Sequence, residues 1–140
     1  MKKALNKLTA PKSVMPEKII QFGEGNFLRA FVDWIVWNMD AKTNFNGSVV
    51  VVQPIERGMV EWLNGQDCLY HVNLQGRLKG EAVNTLERID VISRALNPYS
   101  QNAAFMALAE QSEIRYVISN TKETGINFNP AYKFTDAKAN

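Results

Sequence analysis

The feature that most constrains the fold is a short apolar stretch that leads into two closely spaced glycines and a long apolar segment. Residues 18–22 have the composition of a buried strand, Gly23 and Gly25 form a Gly-x-Gly turn, and residues 26–39 repeat apolar side chains at helical spacing. Glycine has no Cβ, and the start of a helix offers unpaired N–H groups, so this geometry lets a backbone approach a phosphate group. The stretch predicts either a nucleotide-binding turn or a purely structural one.

The third glycine of the usual dinucleotide-binding motif is missing. Counted from Gly23, the sequence reads Gly-x-Gly-x-x-Leu, with Leu28 where glycine normally lets the helix pack closely on the strand. We therefore expect a wider separation or a differently rotated helix. Arg29 and Asp33 lie four residues apart, which predicts an ion pair on one helix face. The alternative places the Arg29 guanidinium near a phosphate or a carboxylated substrate.

A run of four valines, residues 49–52, predicts the second strand. Such a run without alternation is typical of a strand covered on both faces, as in a parallel sheet, so strand, helix and strand form one βαβ unit. An acidic residue usually ends this strand and binds the adenosine ribose. Here Gln53 stands at that point, and it either binds the ribose or is simply a polar strand end. No arginine follows immediately, although Arg57 is close, so the pattern favours NAD over NADP.

The second half of the chain continues to alternate strands and helices. Residues 69–75 alternate apolar and polar side chains, which predicts a half-exposed strand, and residues 83–94 are expected to return beside it as a hairpin, with a turn over 76–80. A helix is predicted over 101–111, with Phe105, Leu108 and Ala109 facing inward.

The last predicted strand, residues 114–119, ends in small polar side chains. Ser119, Asn120 and Thr121 carry hydroxyl and amide groups that suit hydrogen bonds to a ribose or a nicotinamide. Ligands of open α/β sheets lie beyond the carboxyl ends of strands, where these residues fall. A local Ser/Thr turn is the alternative interpretation.

Composition excludes several classes of function. A net charge of +2 without a basic stripe gives no support to nucleic-acid binding, and no apolar run is long enough to span a membrane. The single cysteine, Cys68, excludes an internal disulfide and suits the cytoplasm. Neither Cys68 nor the one histidine, His71, has neighbours at metal-ligand or catalytic spacing. We therefore predict no metal and no catalytic residue in this chain, with His71 on the solvent side of its strand.

The ends of the chain differ from its middle. Residues 1–17 are polar and contain Pro11 and Pro16, so we expect a leader that packs loosely or not at all. Residues 18–126 are predicted to form a partial dinucleotide-binding domain, and residues 127–140 a loose tail.

Several stretches together resemble one family. Residues 19–34, Ile-Ile-Gln-Phe-Gly-Glu-Gly-Asn-Phe-Leu-Arg-Ala-Phe-Val-Asp-Trp, closely resemble the nucleotide-binding start of the mannitol dehydrogenase family of long-chain polyol dehydrogenases. Residues 49–56, 66–70 and 117–126 are similar to its later landmarks, so the resemblance covers residues 16–136. Glu24 and the Gln-Pro-Ile strand end point to the branch that acts on hexuronates, whereas Lys122 and Thr124 depart from that branch.

The resemblance implies a fold and a cofactor site. The fold would be a Rossmann-like α/β domain that binds NAD, with a mainly parallel sheet and an inserted antiparallel hairpin, incomplete at its C-terminal end. Together with Gln53, the cofactor-binding residues would be Ile20, Gln21, Phe22, Gly23, Glu24, Gly25, Asn26, Phe27, Leu28, Arg29, Ala30, Phe31, Ser119, Asn120 and Thr121.

The resemblance also implies a reaction. It is metal-independent hydride transfer between NADH and the keto group of a sugar acid, tagaturonate giving altronate, with fructuronate or a polyol as alternative substrates. The family's catalytic lysine lies in a C-terminal domain that these residues do not include, so the chain would be an N-terminal part partnered by that domain. A different alternative is a non-enzymatic interaction module that uses Trp37, Trp62 and Tyr99 as a protein-binding surface.

Overall fold

A parallel sheet forms the centre of the protein, which this computed structural model describes over residues 5–121 and 130–131. In chain order the strands are β1 (Glu17–Phe22), β2 (Ser48–Val52), β3 (Tyr70–Leu78), β4 (Glu81–Ile89), β5 (Ile92–Leu96) and β6 (Tyr116–Ser119). All pairings in the sheet β5-β2-β1-β6 are parallel, and β3 and β4 pair antiparallel in a separate hairpin. This confirms the predicted α/β fold with a parallel sheet and an inserted hairpin.

Helices connect the parallel strands. A π-helical turn, Leu28–Val32, follows the glycine turn and continues directly into helix α1 (Asp33–Lys42). Helix α2 (Val60–Gly65) follows β2, and helix α3 (Asn102–Met106) continues into a 3-10 turn, Ala107–Glu110, before β6. The order strand, helix, strand brings the carboxyl ends of β1, β2 and β6 to one edge of the sheet.

The valine strand β2 joins two apolar layers. Val49 and Val51 pack with α1, α2 and the hairpin on one face, whereas Val50 and Val52 pack with Leu108 on the other. Successive side chains of a strand point to opposite faces, so an unbroken valine run fits a strand covered on both sides. Full burial of each valine stabilises the fold by roughly 1.5–3 kcal/mol.

Residues 83–94 do not form the single strand that we expected. Strand β4 of the hairpin ends just before Asp90. The chain then continues as β5, which pairs with β2 in the parallel sheet. Ser13 donates to the Asp90 carboxylate from its backbone N–H (3.2 Å) and its hydroxyl (3.0 Å) at this break. The hairpin turn is also shorter than expected, because Lys79 and Gly80 reverse the chain with φ of 53° and 89°.

One smaller expectation is also wrong. The helix predicted over 101–111 is a short α-helix and a 3-10 turn in which Leu108 is buried but Ala109 is exposed. In the described part of the leader, Lys12 Nζ donates to the carbonyls of Asp67 and Ser93 at 2.7 Å each. The domain boundaries remain predictions, and of the predicted tail only residues 130–131 lie inside the described residues.

Candidate functional site

A cleft of about 380 Å³ opens at the carboxyl ends of β1, β2 and β6. It lies where the strand order reverses, with β2 and β5 on one side of β1 and β6 on the other. Ligands of open α/β sheets bind at this switch point. The residues that line the cleft are Phe22, Gly23, Glu24, Gly25, Phe27, Leu28, Pro54, Ile55, Asn120 and Thr121. The structure thus brings the glycine turn and the end of β6 together, as predicted.

The two glycines of the turn have different roles. Gly23 has a φ of 119°, its N–H donates to the Val52 carbonyl at 2.9 Å, and a Cβ there would lie 3.0 Å from Leu28 Cδ1. Gly23 is therefore required by the backbone conformation and by the packing of Leu28. Gly25 has no heavy atom within 4 Å of the place a Cβ would occupy. It leaves the backbone open to a group that enters the cleft.

The helical segment begins with N–H groups that make no hydrogen bond within the helix. The bond from the Arg29 N–H to the Gly25 carbonyl, 3.2 Å, opens the segment. The N–H groups of Asn26, Phe27 and Leu28 precede it and have no acceptor within the helix. Together with the positive end of the helix dipole, they form an environment that suits an anion.

Leu28 replaces the third glycine by packing against the first. It is buried, and its Cδ1 fills the space next to Gly23. The first turn of the helical segment is wound as a π-helix rather than an α-helix. The unusual winding is confined to residues 28–32, and the wider separation or rotation of the helix stays a prediction.

Arg29 donates hydrogen bonds to residues of the glycine turn and does not pair with Asp33. Its Nε donates to the Glu24 carbonyl at 2.9 Å and its Nη2 to Asn26 Oδ1 at 2.6 Å. Its guanidinium lies 5.7 Å from the Trp62 ring centroid and 5.4 Å from that of Tyr70. Within residues 5–121 no ion pair joins Arg29 to Asp33. The predicted pair is wrong, and Arg29 does not line the cleft.

Asp33 is a buried carboxyl group beneath the turn. Its Oδ2 accepts bonds from Gln21 Nε2 at 3.3 Å and from the Tyr70 hydroxyl at 3.4 Å, whereas its Oδ1 has no partner among the described residues. Gln21 Nε2 also donates to the Gly23 carbonyl at 3.1 Å. Burial raises the pKa of Asp33 to about 7, against the opposing effect of those two donors and of Arg29. A titratable group is thus linked to the glycine turn through one side chain.

The side-chain amide of Gln53 forms its hydrogen bonds with the segment that follows β2. Its Nε2 donates to the carbonyls of Ile55 (2.7 Å) and Glu56 (3.0 Å), and its Oε1 accepts from the Val60 N–H at 3.1 Å. The structure therefore favours the polar strand end over the ribose contact. Pattern reasoning also missed Gly58, where a Cβ would lie 2.2 Å from Glu24 Oε1 and 2.5 Å from Gln53 Oε1.

The other predicted residues fall outside the cleft. Ile20 packs in the core on the α3 face, and Ala30, Phe31 and Ser119 are exposed away from the cleft lining. Gln21, Asn26 and Arg29 support the turn without lining the cleft.

Neither His71 nor Cys68 lines the cleft. His71 is exposed on β3, as predicted, while burial raises the pKa of the Cys68 thiol to about 11 and keeps it protonated. Over residues 5–121 and 130–131 no group of three His, Cys, Asp or Glu side chains is placed to hold a metal ion. In the same part of the chain no helix has the length and apolar character needed to cross a membrane.

The aromatic residues that suggested an interaction module each contact a different part of the domain. Trp37 packs partly against the core, Trp62 lies over Arg29, and the Tyr99 hydroxyl lies 3.5 Å from the Pro54 carbonyl.

Comparison with curated proteins identifies close relatives. The altronate oxidoreductases of Phocaeicola vulgatus and Bacteroides thetaiotaomicron are 73% and 72% identical to this chain over 137 residues, and that of Escherichia coli is 46% identical over 138. Each match covers 98% of this chain but 29% of the relative. The chain therefore spans less than a third of the length of these proteins.

Solved structures and a family match agree on the fold. The Pseudomonas fluorescens mannitol 2-dehydrogenase in ternary complex with NAD and D-mannitol has a TM-score of 0.70 at 23% identity, over 86% of this chain and 27% of that one. A D-sorbitol dehydrogenase in substrate-free form has a TM-score of 0.69 at 23% identity, over 86% of this chain and 25% of that one. Residues 17–135 match the family described as the mannitol dehydrogenase Rossmann domain. This chain belongs to the mannitol dehydrogenase family and comprises sequence of its Rossmann domain.

Proposed function

We propose that this chain is the NAD-binding part of a cytoplasmic oxidoreductase that transfers a hydride between NADH and a hexuronate, with tagaturonate and altronate as the reacting pair. The observation that carries the proposal is the open backbone at Gly25 in the lining of the cleft, directly before a helix start whose first N–H groups have no acceptor within the helix. The names of the relatives support the substrate class, since three of them are altronate oxidoreductases.

The position of the cleft at the glycine turn supports binding of the diphosphate part of a dinucleotide. The diphosphate would lie over Gly25 and accept hydrogen bonds from the N–H groups at the helix start. Asn120 and Thr121, at the end of β6, would bond polar groups of the nicotinamide half, and Pro54 and Ile55 would form the apolar wall on the other side. Bound there, NADH supplies the hydride. The chain's own contribution is to hold the cofactor and orient it at the strand ends.

The acidic residue of the turn, Glu24, lines the cleft and is hydrogen-bonded to the neighbouring loop. Glu24 is mostly buried, and its Oε1 accepts a 3.4 Å bond from the Met59 N–H on the loop side of the turn. The Glu24 carbonyl is likewise occupied by Arg29. The carboxylate and the carbonyl of Glu24 therefore both take part in hydrogen bonds that hold the surrounding loop in place. The catalytic residues of the reaction would come from the polypeptide beyond residue 140.

The test of cofactor binding compares two glycines that are equally open. In the protein expressed from its complete reading frame, Gly25→Ala would place a methyl group where the diphosphate approaches. We expect the Kd for NADH to rise about tenfold or more, equivalent to about 1.4 kcal/mol, with the stability unchanged. Gly65→Ala is the matched control, because a Cβ there also meets nothing within 4 Å and Gly65 lies outside the cleft.

Three results would contradict the proposal. Unchanged NADH affinity in Gly25→Ala would show that the turn does not bind the cofactor, and an equal loss in Gly65→Ala would show a general effect. A reading frame that ends at residue 140 would exclude the enzyme. Substrate choice is measured separately, as kcat/KM for tagaturonate, fructuronate and mannitol, with tagaturonate expected to give the highest value. A higher value for fructuronate or mannitol would replace the proposed substrate but not the cofactor site.

A further inference from the structure

Asp33 and Gln21 form a buried polar cluster that is joined to the glycine turn, although neither residue lines the cofactor cleft. Both residues are at 0% exposure. Gln21 Nε2 donates to two acceptors, the Gly23 carbonyl at 3.1 Å and Asp33 Oδ2 at 3.3 Å. These two acceptors fix the orientation of the amide, because its oxygen could not take the place of its nitrogen there.

The cluster has fewer donor hydrogens than acceptors. An amide nitrogen carries two hydrogens, and Gln21 uses both of them in these bonds. The hydroxyl of Tyr70 has a single hydrogen for two acceptors, the Arg29 carbonyl at 2.9 Å and Asp33 Oδ2 at 3.4 Å. Asp33 Oδ1 and Gln21 Oε1 have no partner among the described residues. A proton on the Asp33 carboxyl adds a donor and removes an acceptor, so it corrects this shortage.

Each donor of the cluster serves both the carboxyl and the backbone at the helix start. Gln21 holds the carbonyl of Gly23, and the Tyr70 hydroxyl holds the carbonyl of Arg29 in the first helical turn. An ionised carboxylate attracts donors more strongly than a neutral acid, so it competes with these carbonyls for the same hydrogens. It also places a buried negative charge close to the start of the helical segment. Both effects disfavour an anion bound at the glycine turn.

We propose that Asp33 is a positioning residue for the cofactor, which in its protonated form leaves Gln21 and Tyr70 to hold the turn and which weakens NADH binding when it ionises. This inference rests on the proposed function, because it concerns the same cofactor site. In the described chain the groups that face Asp33 are Gln21 from β1, Tyr70 from β3 and Arg29 from its own helical segment. Burial favours the protonated form, and the positive charge of Arg29 opposes it.

The pH dependence of NADH affinity tests this inference in the protein expressed from its complete reading frame. Burial raises the pKa of Asp33 to about 7, so the protonated fraction falls about tenfold between pH 6 and pH 8. We expect the Kd for NADH to rise by up to about tenfold over this range. In Asp33→Asn, which cannot ionise, the Kd should stay near the wild-type value at pH 6. Asp40→Asn is the matched control, because it makes the same change on α1 at a residue bonded to Gly47, and it should keep the wild-type rise.

Proton uptake on NADH binding is a second measurement, and it can be made on the wild type. At pH 7 about half of the free protein has a protonated Asp33, so binding should take up as much as about 0.5 proton per NADH. Titration calorimetry in two buffers of different ionisation enthalpy measures this uptake. Asp33→Asn should abolish it, whereas a residue that only stabilises the fold would leave it unchanged.

Two results would overturn the inference. One is a wild-type Kd that is equal at pH 6 and pH 8, with no proton taken up at pH 7. The other is a rise of the Kd in Asp33→Asn equal to that of the wild type. If Asp33→Asn does not fold, Tyr70→Phe serves in its place and should move the rise to higher pH, and an unmoved rise would contradict the assignment. These results leave the proposed function in place, whereas no binding of NADH even at pH 6 would overturn both.

Discussion

Asp33 makes the stability of this protein depend on pH in the direction opposite to that of an ordinary ion-paired carboxylate. Its side chain is buried, and its pKa is raised to about 7 from an ordinary value of 3.8. Between pH 3.8 and about pH 7 the Asp33 carboxyl is therefore protonated in the folded state and ionised in the unfolded state. Stability from this group is fully present below pH 3.8 and is lost as pH rises to about 7.

The expected size of the effect follows from that interval. From pH 5.5 to pH 8 the unfolded carboxyl stays ionised, and the folded one loses its proton near pH 7. Over these roughly 1.5 pH units, from pH 5.5 to about pH 7, the folded state holds one more proton than the unfolded state. The free energy of unfolding therefore falls by about 2 kcal/mol. Glu17, whose pKa is lowered mainly by its bonds to Arg94 and Ser93 against the effect of burial, acts below pH 4.5 and so outside this window.

Urea unfolding followed by tryptophan fluorescence measures this loss. We expect the free energy of unfolding to fall by about 2 kcal/mol between pH 5.5 and pH 8 in the wild type, and much less in Asp33→Asn, which cannot ionise. Asparagine can still accept the bonds from Gln21 and Tyr70. Glu61→Gln, at an exposed position, is the control and should keep the wild-type slope. An equal slope in Asp33→Asn and wild type would refute the assignment to Asp33.

Other predictions concern the residues around the glycine turn. Gly23→Ala should lower the free energy of unfolding by about 1–3 kcal/mol, because φ is 119° and Leu28 Cδ1 lies 3.0 Å from the added Cβ. Gly76→Ala is the control and should lower it far less, because a Cβ there meets nothing within 4 Å. Tyr70→Phe removes the hydroxyl that donates to the Arg29 carbonyl at 2.9 Å, and should cost about 1–3 kcal/mol in urea unfolding. It should also raise the pKa of Asp33 further, seen as a shift of the pH dependence to higher pH. Leu28→Gly completes the usual three-glycine motif but should still destabilise the fold by about 3–5 kcal/mol, since it empties a buried site; stability equal to wild type would contradict this.

The sequence predicted best the features that depend on local pattern. The valine run identified a strand covered on both faces, and the apolar stretch before Gly23 identified the strand that leads into the turn. Ser119, Asn120 and Thr121 were correctly placed at a strand end, although Ser119 does not line the cleft. Each of these features depends on the periodicity of side chains or on the chemistry of a single turn.

The features that could not be predicted from the sequence depend on strand pairing and on helix winding. Residues 83–94 carry strand-forming side chains throughout, so only the pairing of Ile92–Leu96 with β2 reveals that two different sheets share the segment. The predicted pair of Arg29 and Asp33 assumed α-helical winding. The π-helical turn over Leu28–Val32 changes which side chains meet, because its hydrogen bonds run from i to i+5. Arg29 instead reaches back to Glu24.

The missing third glycine and the unusual helix start have one physical explanation. In the usual motif a glycine at the third position lets helix and strand pack closely. Here Leu28 occupies that position and fills the space that Gly23 leaves by lacking a Cβ, so the first glycine is needed partly because the third is absent. The bulk of Leu28 is accommodated where the first turn is wound as a π-helix, and Arg29, one residue further on, fixes the turn through the Glu24 carbonyl and Asn26. Gly25 leaves the backbone uncovered at the start of a helix, and this is the property that the proposed binding of a diphosphate depends on.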